Sequence, residues 1–292
     1  MNAPLRPSPA RPPVERQRVR SAGLDWHVER AGRGPTLLLL HGTGAAARSW
    51  AGLSPLLCAA GFEVLAPDLP GHGGTTALSR PRCSLPGMAE ALRGLLQTLD
   101  RAPVAAIGHS AGAALCARLA LDGAPGLERM VWIGGALLPF SGLTGLVAPV
   151  LARLLARAPL LPQLAAWGAG DGAAVERLID TTGSVLDAGG IAAYRDLLRQ
   201  PAHVSGALAM MAGWDLAPMR RELPRLALPV LMLHGQRDRA VPAAQAAAVA
   251  RLLPQGTLLP LDGLGHLAHE EAPARVAALI EGWWPRAARR QH

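Results

Sequence analysis

The 292-residue chain contains no lysine, so arginine supplies all 29 of its basic side chains. The formal net charge is +8, but the arginines are scattered and aromatic residues make up only 3% of the chain. Proteins that bind nucleic acid cluster basic residues on one element and place aromatics among them. The composition therefore argues against a nucleic-acid-binding protein. It leaves open peripheral contact with an anionic membrane surface or attraction to acidic ligands.

Cysteine is also scarce. Cys58, Cys83 and Cys116 show neither a paired spacing nor a metal-ligand spacing, which predicts free thiols and a cytoplasmic location. The amino-terminal region lacks an apolar signal core, and no run of about 18 apolar residues occurs, so neither a secretory signal nor a membrane span is expected. Neither a GxGxxG nor a P-loop pattern is present, and we expect no cofactor.

Short apolar runs alternate with helical patterns along most of the chain. We predict a disordered tail over residues 1–15, where Pro, Arg and Ala dominate, and an antiparallel hairpin over residues 19–29. The predicted buried strands are 36–40, 63–66, 104–107, 130–133, 229–234 and 257–261. The predicted helices between and after them are 48–60, 86–99, 111–121, 243–253 and 271–284. This order indicates an α/β fold whose mostly parallel sheet carries helices on both faces.

The pattern changes between residues 135 and 221. Apolar residues recur at helical spacing from Leu143 to Leu155, and further helical stretches cover 173–180, 191–198 and 204–212. We predict a helical cap over residues 135–221, inserted into a core formed by 16–134 and 222–292. The alternative is that these helices simply belong to the core.

Residues 108–112 have the form G-x-S-x-G, between an apolar run and an alanine-rich helical run. A strand that turns at once into a helix strains its turn residue and exposes that residue's side chain. Glycines are needed on both sides because side chains there would collide with the neighbouring backbone. We therefore predict that Ser110 is a nucleophile.

A serine nucleophile needs a base, and the base needs an acid that orients it. His266 follows the last predicted strand and is the predicted base, and Asp238 follows the strand before it and is the predicted acid. The order Ser, Asp, His is that of α/β-hydrolases. The predicted oxyanion donors are the backbone N–H groups of Thr43 and Ala111.

Other polar residues offer competing interpretations. His269 is an alternative base and Asp68 an alternative acid. His41 and His72 fit a role in bracing loops, and His109 fits a role in packing. His266 and His269 have the spacing of metal ligands, but no third ligand stands out, so we predict no metal site.

These residues identify the chain as similar to the α/β-hydrolase superfamily over nearly its whole length. A closer resemblance lies in the segments LLLLHGTGAAARSW, APDLPGHG, GHSAGAALCARLALDG, GALLPFSG, HVSGALAMMAGWDL and GLGHLAHEEAP. They resemble the magnesium-chelatase accessory proteins of bacteriochlorophyll biosynthesis. The resemblance implies a photosynthesis-related role near the insertion of magnesium into protoporphyrin, with association with chelatase subunits.

Two functions remain open. One is a serine hydrolase that acts on an ester or similar acyl bond of a lipophilic or tetrapyrrole-related compound. The other is a non-catalytic accessory protein that binds a porphyrin or supports the chelatase. For a large apolar ligand, the candidate cap residues are Met210, Met211 and Trp214, with Arg195 and Arg199 gripping carboxylates. The alternative is that these arginines form a solvated face.

Overall fold

A computed structural model describes residues 13–139, 163 and 172–284. Its eight strands form one sheet in the order β1-β2-β4-β3-β5-β6-β7-β8. β2 runs antiparallel to β1 and β4, and the other neighbouring strands are parallel. The strands are β1 (Glu15–Ser21), β2 (Leu24–Gly32), β3 (Thr36–Leu40), β4 (Glu63–Pro67), β5 (Ala105–His109), β6 (Arg129–Ile133), β7 (Val230–Gly235) and β8 (Gly256–Leu261). The predicted α/β fold with a mostly parallel sheet is confirmed.

Helices of the described residues cover both faces of the sheet. They are α1 (Ser54–Ala59), α2 (Leu85–Thr98), α3 (Ala111–Leu121), α4 (Gly172–Asp180), α5 (Ala188–Leu198), α6 (Pro201–Gly213), α7 (Met219–Glu222), α8 (Ala243–Leu252), α9 (Ala268–Glu271) and α10 (Pro273–Trp283). Short 3-10 turns cover Ala47–Trp50, Arg80–Arg82 and Leu223–Arg225. None of the helices in the described part of the chain is long and apolar enough to cross a membrane.

β3 shows how the sheet separates two apolar cores. All five of its residues are buried. Leu38 and Leu40 pack into the cluster under α2, α3 and α8, whereas Leu37 and Leu39 pack into the cluster under α1 and α10. Alternate side chains of a strand point to opposite faces, so a strand covered on both sides is apolar throughout. The carboxyl ends of the parallel strands therefore lie at one edge between two helical layers.

Two predicted helices are each divided in the structure. Instead of one helix over 48–60, a 3-10 turn precedes α1, and Pro55 lies in the first turn of that helix. Instead of one helix over 271–284, α9 and α10 are separate, and Pro273 begins the second. Proline lacks the N–H that would continue a preceding helix and clashes with its last turn. Pro55 and Pro273 therefore divide the two segments that the apolar pattern predicted as single helices.

The division into core and cap stays a prediction. The described helices α4 to α7 lie between β6 and β7, and α4 and α5 share a small apolar cluster with Ala45 and Leu267. The predicted helical run from Leu143 to Leu155 lies outside the described residues. So do residues 1–12 of the predicted tail, while β1 begins at Glu15. All three cysteines are free thiols, and Cys58 is only partly buried.

Candidate active site

Ser110 occupies the turn between β5 and α3 in a conformation that non-glycine residues rarely adopt. Its φ of 51° and ψ of −117° are strained values, and such strain costs on the order of 1–3 kcal/mol. Its N–H donates to the Ile133 carbonyl at 3.0 Å, and its own carbonyl accepts the N–H groups of Ala113 and Ala136 at 3.1 and 3.0 Å. These bonds hold the strained residue between the adjacent strand and the helix.

The glycines on either side of Ser110 are required by space. A Cβ atom on Gly108 would lie 2.5 Å from the backbone of Gly112, and one on Gly112 would lie 2.1 Å from the Leu40 carbonyl oxygen. No side chain tolerates contacts of that length with backbone atoms. The strand, turn and helix can therefore pack this closely only with glycine at both positions, as the G-x-S-x-G pattern predicted.

Asp238 and His266 meet on the loops that follow β7 and β8. His266 Nδ1–H donates to Asp238 Oδ2 at 2.8 Å. The other carboxylate oxygen accepts the N–H groups of Ala240 and Val241, each at 2.8 Å, and the Asp238 side chain is fully buried. This arrangement fixes the imidazole proton on Nδ1, which leaves Nε2 available to accept a proton.

Gly134, directly after β6, lets the chain pass close to this pair. A Cβ atom there would lie 2.9 Å from His266 Nδ1 and 3.1 Å from Asp238 Oδ2. Its φ of 54° is a second reason for glycine at this position. The backbone after β6 thus passes directly beside the hydrogen bond between Asp238 and His266.

Ser110 and His266 line the same cavity, which has a volume of about 190 Å³. None of the described residues that line this cavity is Asp, Glu or Arg. Its apolar lining consists of Ala45, Leu178, Ile179, Leu198 and Leu267. The space beside the serine therefore suits an uncharged, apolar group.

The loop over residues 42–45 lies against Ser110. A Cβ atom on Gly42 would be 2.9 Å from Ser110 Cβ, and Thr43 lines the cavity. Thr43 thus lies near Ser110 in space, and Ala111 follows it directly in the sequence. Their role as oxyanion donors stays a prediction.

The five predicted cap residues do not line this cavity within the described part of the chain. The helix α5 turns Tyr194 and Leu198 toward it, and Arg195 and Arg199 lie one residue further on, about 100° around the helix. Met210 is buried and its Sδ accepts the Thr43 hydroxyl at 3.5 Å, whereas Met211 is exposed. Trp214 packs against the core cluster under α2 and α3. The arginine pair therefore has no contact with the cavity beside Ser110.

His269, the alternative base, is fully enclosed. Its ring lies 4.5 Å from that of Trp50 and 4.6 Å from that of His109, centroid to centroid. Burial lowers the pKa of His269 to about 3, so this imidazole is neutral at ordinary pH. His109 packs between it and His266 and donates from Nε2 to the His266 carbonyl at 3.1 Å. His109 therefore contacts His266 directly, and His269 is enclosed behind it.

Asp68, the alternative acid, organises the loop after β4. Its two oxygens accept the N–H groups of Ala47 and Gly74, each at 2.7 Å, and the Nδ1–H of His27 at 2.9 Å. His41 and His72 brace neighbouring backbone, as predicted. In the described residues, no group of three or more His, Cys, Asp or Glu side chains is arranged to hold a metal ion.

One buried pair beside the cavity, Tyr194 and Glu270, was not predicted from the sequence. The Tyr194 hydroxyl donates to Glu270 Oε1 at 2.7 Å. Burial raises the pKa of the Glu270 carboxyl to about 8, although the Tyr194 hydrogen bond and the Arg48 charge oppose that rise. The partners are 76 residues apart. The sequence showed only an acidic residue a few positions after His266, and acidic residues are usually exposed to solvent.

Comparison with known proteins places these features in a family. A model described as the alpha/beta hydrolase family matches residues 37–279. The chain is 44% identical over 277 residues to the magnesium-chelatase 30 kDa subunit of Rhodobacter capsulatus, covering 94% of this chain and 95% of that protein. It is 31% identical over 271 residues to a pimeloyl-acyl-carrier-protein methyl ester esterase of Aromatoleum aromaticum, covering 85% of this chain and 97% of that protein.

A solved structure of the epoxide hydrolase CorEH aligns with a TM-score of 0.78 at 21% identity, covering 93% of this chain and 98% of that one. At that identity the likeness concerns the fold alone. The family model matches most of the chain, and the strand order around Ser110 is consistent with that match. The chain belongs to the alpha/beta hydrolase family.

Proposed function

We propose that this protein is a serine hydrolase that cleaves an ester or similar acyl bond of a lipophilic substrate. One observation carries the proposal. The strained Ser110 shares a cavity with His266, and a buried Asp238 carboxylate holds that imidazole at 2.8 Å with Nε2 free. A protein that only binds a ligand has no physical need for such a strained turn beside an oriented base.

In the proposed reaction, Ser110 Oγ attacks the carbonyl carbon of the substrate while its proton passes to His266 Nε2. Asp238 stabilises the imidazolium that forms. Collapse of the tetrahedral intermediate breaks the bond to the leaving group, which takes the proton from His266. Water, deprotonated by the same base, then hydrolyses the acyl-serine and restores the hydroxyl.

The negative charge on the tetrahedral intermediate needs donors that are already in place. The N–H groups of Thr43 and Ala111 are the proposed donors, and the positive end of α3 lies beneath the same point. Removal of one such donor typically slows acyl transfer by about 10²–10³-fold. Gly42, packed against the serine, lets the loop approach closely enough.

The substrate class follows from the cavity. Aliphatic side chains surround the space beside Ser110, and none of its described lining residues is acidic or an arginine. An apolar acyl or ester group fits such a lining better than a charged one. The similarity to a methyl ester esterase is consistent with an ester as the bond that is cleaved.

We further propose that the hydrolase acts as an accessory protein near magnesium chelation, in association with chelatase subunits. The 44% identity to a magnesium-chelatase 30 kDa subunit over almost the whole chain supports this setting. A tetrapyrrole ester would join the two parts of the proposal. The second candidate, a non-catalytic protein that binds a porphyrin or supports the chelatase, is favoured by the same relative, whose name states no reaction.

Labelling with a fluorophosphonate separates the two candidates, because the reagent reacts only with an activated serine. The intact protein should be labelled, and Ser110→Ala should not be. The matched control is Ser79→Ala, which removes an exposed serine and should leave labelling unchanged. Equal labelling of Ser110→Ala and the intact protein would refute the proposed nucleophile. An intact, folded protein that resists the reagent would favour the non-catalytic candidate.

Porphyrin binding is measured separately, by quenching of tryptophan fluorescence with protoporphyrin. A saturable signal that survives Ser110→Ala but weakens when Arg195 and Arg199 are both changed to Ala would assign binding to the outer face of α5. That face is distinct from the side that lines the cavity. Unchanged quenching in the double variant would remove the arginine pair from the site.

A further inference from the structure

One face of α6 contacts two loops, the loop over residues 42–45 beside the cavity and the loop over residues 71–74 after β4. His203, Gly206 and Met210 are spaced three and seven residues apart and therefore share that face. His203 is buried, and its ring contacts both loops. Its Nε2–H donates to the Gly44 carbonyl at 3.1 Å, and its Nδ1 accepts the Gly73 N–H at 3.0 Å. These two bonds require the neutral ring with its proton on Nε2.

The other two residues of this face bring the helix into backbone contact. A Cβ atom on Gly206 would lie 1.9 Å from the Gly71 carbonyl oxygen, so the two glycines touch directly. Met210 Sδ accepts the hydroxyl of Thr43 at 3.5 Å. The helix therefore contacts the loop over residues 42–45 through His203 and Met210, and the loop after β4 through His203 and Gly206.

The loop over residues 42–45 needs such outside contacts. It contains two glycines, and Gly44 has a φ of 76°, so its backbone is intrinsically adaptable. One backbone bond closes it, from the Ala45 N–H to the Gly42 carbonyl at 3.2 Å. His41 Nδ1–H donates to that same Gly42 carbonyl at 2.8 Å. Histidines thus hold the loop at both glycines, one from the core and one from α6.

We propose that His203 is a positioning residue for the reaction, and that its hydrogen bond to Gly44 holds the Thr43 N–H in place for the oxyanion. The catalytic part of this inference rests on the proposed hydrolase function. The positioning of the loop does not, since it depends only on contacts among α6, Gly44 and Gly73. Burial lowers the pKa of His203, which keeps the ring in the neutral form that these contacts need.

Two substitutions separate the bonds of the imidazole. In His203→Gln the amide nitrogen can take the place of Nε2 and still donate to Gly44. In His203→Asn the amide oxygen can take the place of Nδ1 and still accept from Gly73. His203→Ala removes both bonds. Each variant is compared with the intact protein by kcat and KM on a short-chain p-nitrophenyl ester, by melting temperature, and by amide hydrogen exchange of residues 43–45.

If His203 positions the loop, His203→Asn and His203→Ala should lower kcat by about 10-fold to 100-fold, the range expected from a misplaced reacting group. KM should change less than twofold, and exchange at residues 43–45 should become faster. His203→Gln should restore most of kcat and normal exchange. The Gln and Asn pair decides the outcome even if His203→Ala fails to fold.

Equal loss of kcat in the Gln and Asn variants, with exchange at residues 43–45 unchanged, would overturn the proposal. A fall in kcat that only follows the fall in melting temperature would do the same. If the intact protein hydrolyses no ester, the proposed function fails and exchange alone decides. Faster exchange in His203→Asn than in His203→Gln would then support the positioning role, and identical exchange would refute it.

Discussion

Glu270 offers a test of the structure beside the cavity, because a carboxyl group seldom lies so deep. Its Oε1 accepts the Tyr194 hydroxyl at 2.7 Å, and Tyr194 lines the cavity with Ser110. The charged groups that face it are few. Arg48 favours its ionised form and Glu271 disfavours it, while the adjacent His269 is neutral. Burial is the dominant influence and raises the pKa of Glu270 from 4.5 to about 8.

The raised pKa of Glu270 determines how pH changes the free energy of unfolding, both in sign and in size. The folded protein holds the Glu270 proton between pH 4.5 and about 8, whereas the unfolded chain releases it. The contribution of the protonated Glu270 to stability is therefore fully present below pH 4.5 and is lost as the pH rises to about 8. Each pH unit is worth about 1.4 kcal/mol, so the whole loss is on the order of 5 kcal/mol.

The substitution Glu270→Gln removes the ionisation and keeps an oxygen that can accept from Tyr194. We expect the variant and the intact protein to have similar free energies of unfolding near pH 5. At pH 8 the variant should be more stable than the intact protein by several kcal/mol, up to about 5 kcal/mol. Urea unfolding at intervals from pH 5 to 9 measures this difference.

The control is Glu176→Gln, which changes an exposed carboxylate on α4. Its free energy of unfolding should run parallel to that of the intact protein at every pH, since water already solvates that group. If Glu270→Gln also runs parallel, the carboxyl does not hold its proton in the folded state. Burial would then not raise the pKa of Glu270 in the folded protein.

Three further predictions concern the reaction, the packing of α6 and the cavity. Asp238→Asn should lower kcat for ester hydrolysis by roughly 10³–10⁴-fold with little change in KM, because the imidazole loses its orienting acceptor; an effect below tenfold would contradict this role. Gly206→Ala should lower the melting temperature, since its Cβ would meet Gly71 oxygen at 1.9 Å, although alanine normally stabilises a helix by about 1 kcal/mol. Gly282→Ala, in α10 with open space around it, should match or exceed the intact protein, and equal melting of both variants would disprove the close contact. Leu198→Ala should enlarge the cavity and raise the ratio of kcat/KM for octanoate over butyrate esters; an unchanged ratio would show that the acyl group lies elsewhere.

Local chemistry explains why the turn at Ser110 could be predicted from the sequence. Gly108, Ser110 and Gly112 lie within five residues, and their requirements concern the backbone of that turn and its nearest neighbours. Strands such as β3 are equally local signals, because burial on both faces leaves a wholly apolar run. The order of the chain then placed Asp238 and His266 at the same edge of the sheet as Ser110.

The cap residues could not be predicted in the same way, because helix periodicity gives spacing and not direction. Arg195 and Arg199 share a face, as expected, but the helix is rotated so that Tyr194 and Leu198 point into the cavity. That rotation is set by the packing of Tyr194 with Ala45, Val175 and Leu267. Only the assembled structure fixes it.

The contacts of His203 could not be predicted from the sequence either, although this residue lies in a segment that carried the family resemblance. Its two partners, Gly44 and Gly73, are 159 and 130 residues away, so no local pattern could connect them. Yet the segment HVSGALAMMAGWDL, which carried the family resemblance in the cap, begins with this histidine and contains Gly206 and Met210. These residues of α6 contact the loop over residues 42–45 and the loop after β4. This face of α6 therefore meets the loops that follow β3 and β4, while Met211 of the same helix is exposed to solvent. A segment constrained on one face by backbone contact can hold the loop over residues 42–45 in place and still leave its outer face free for another function.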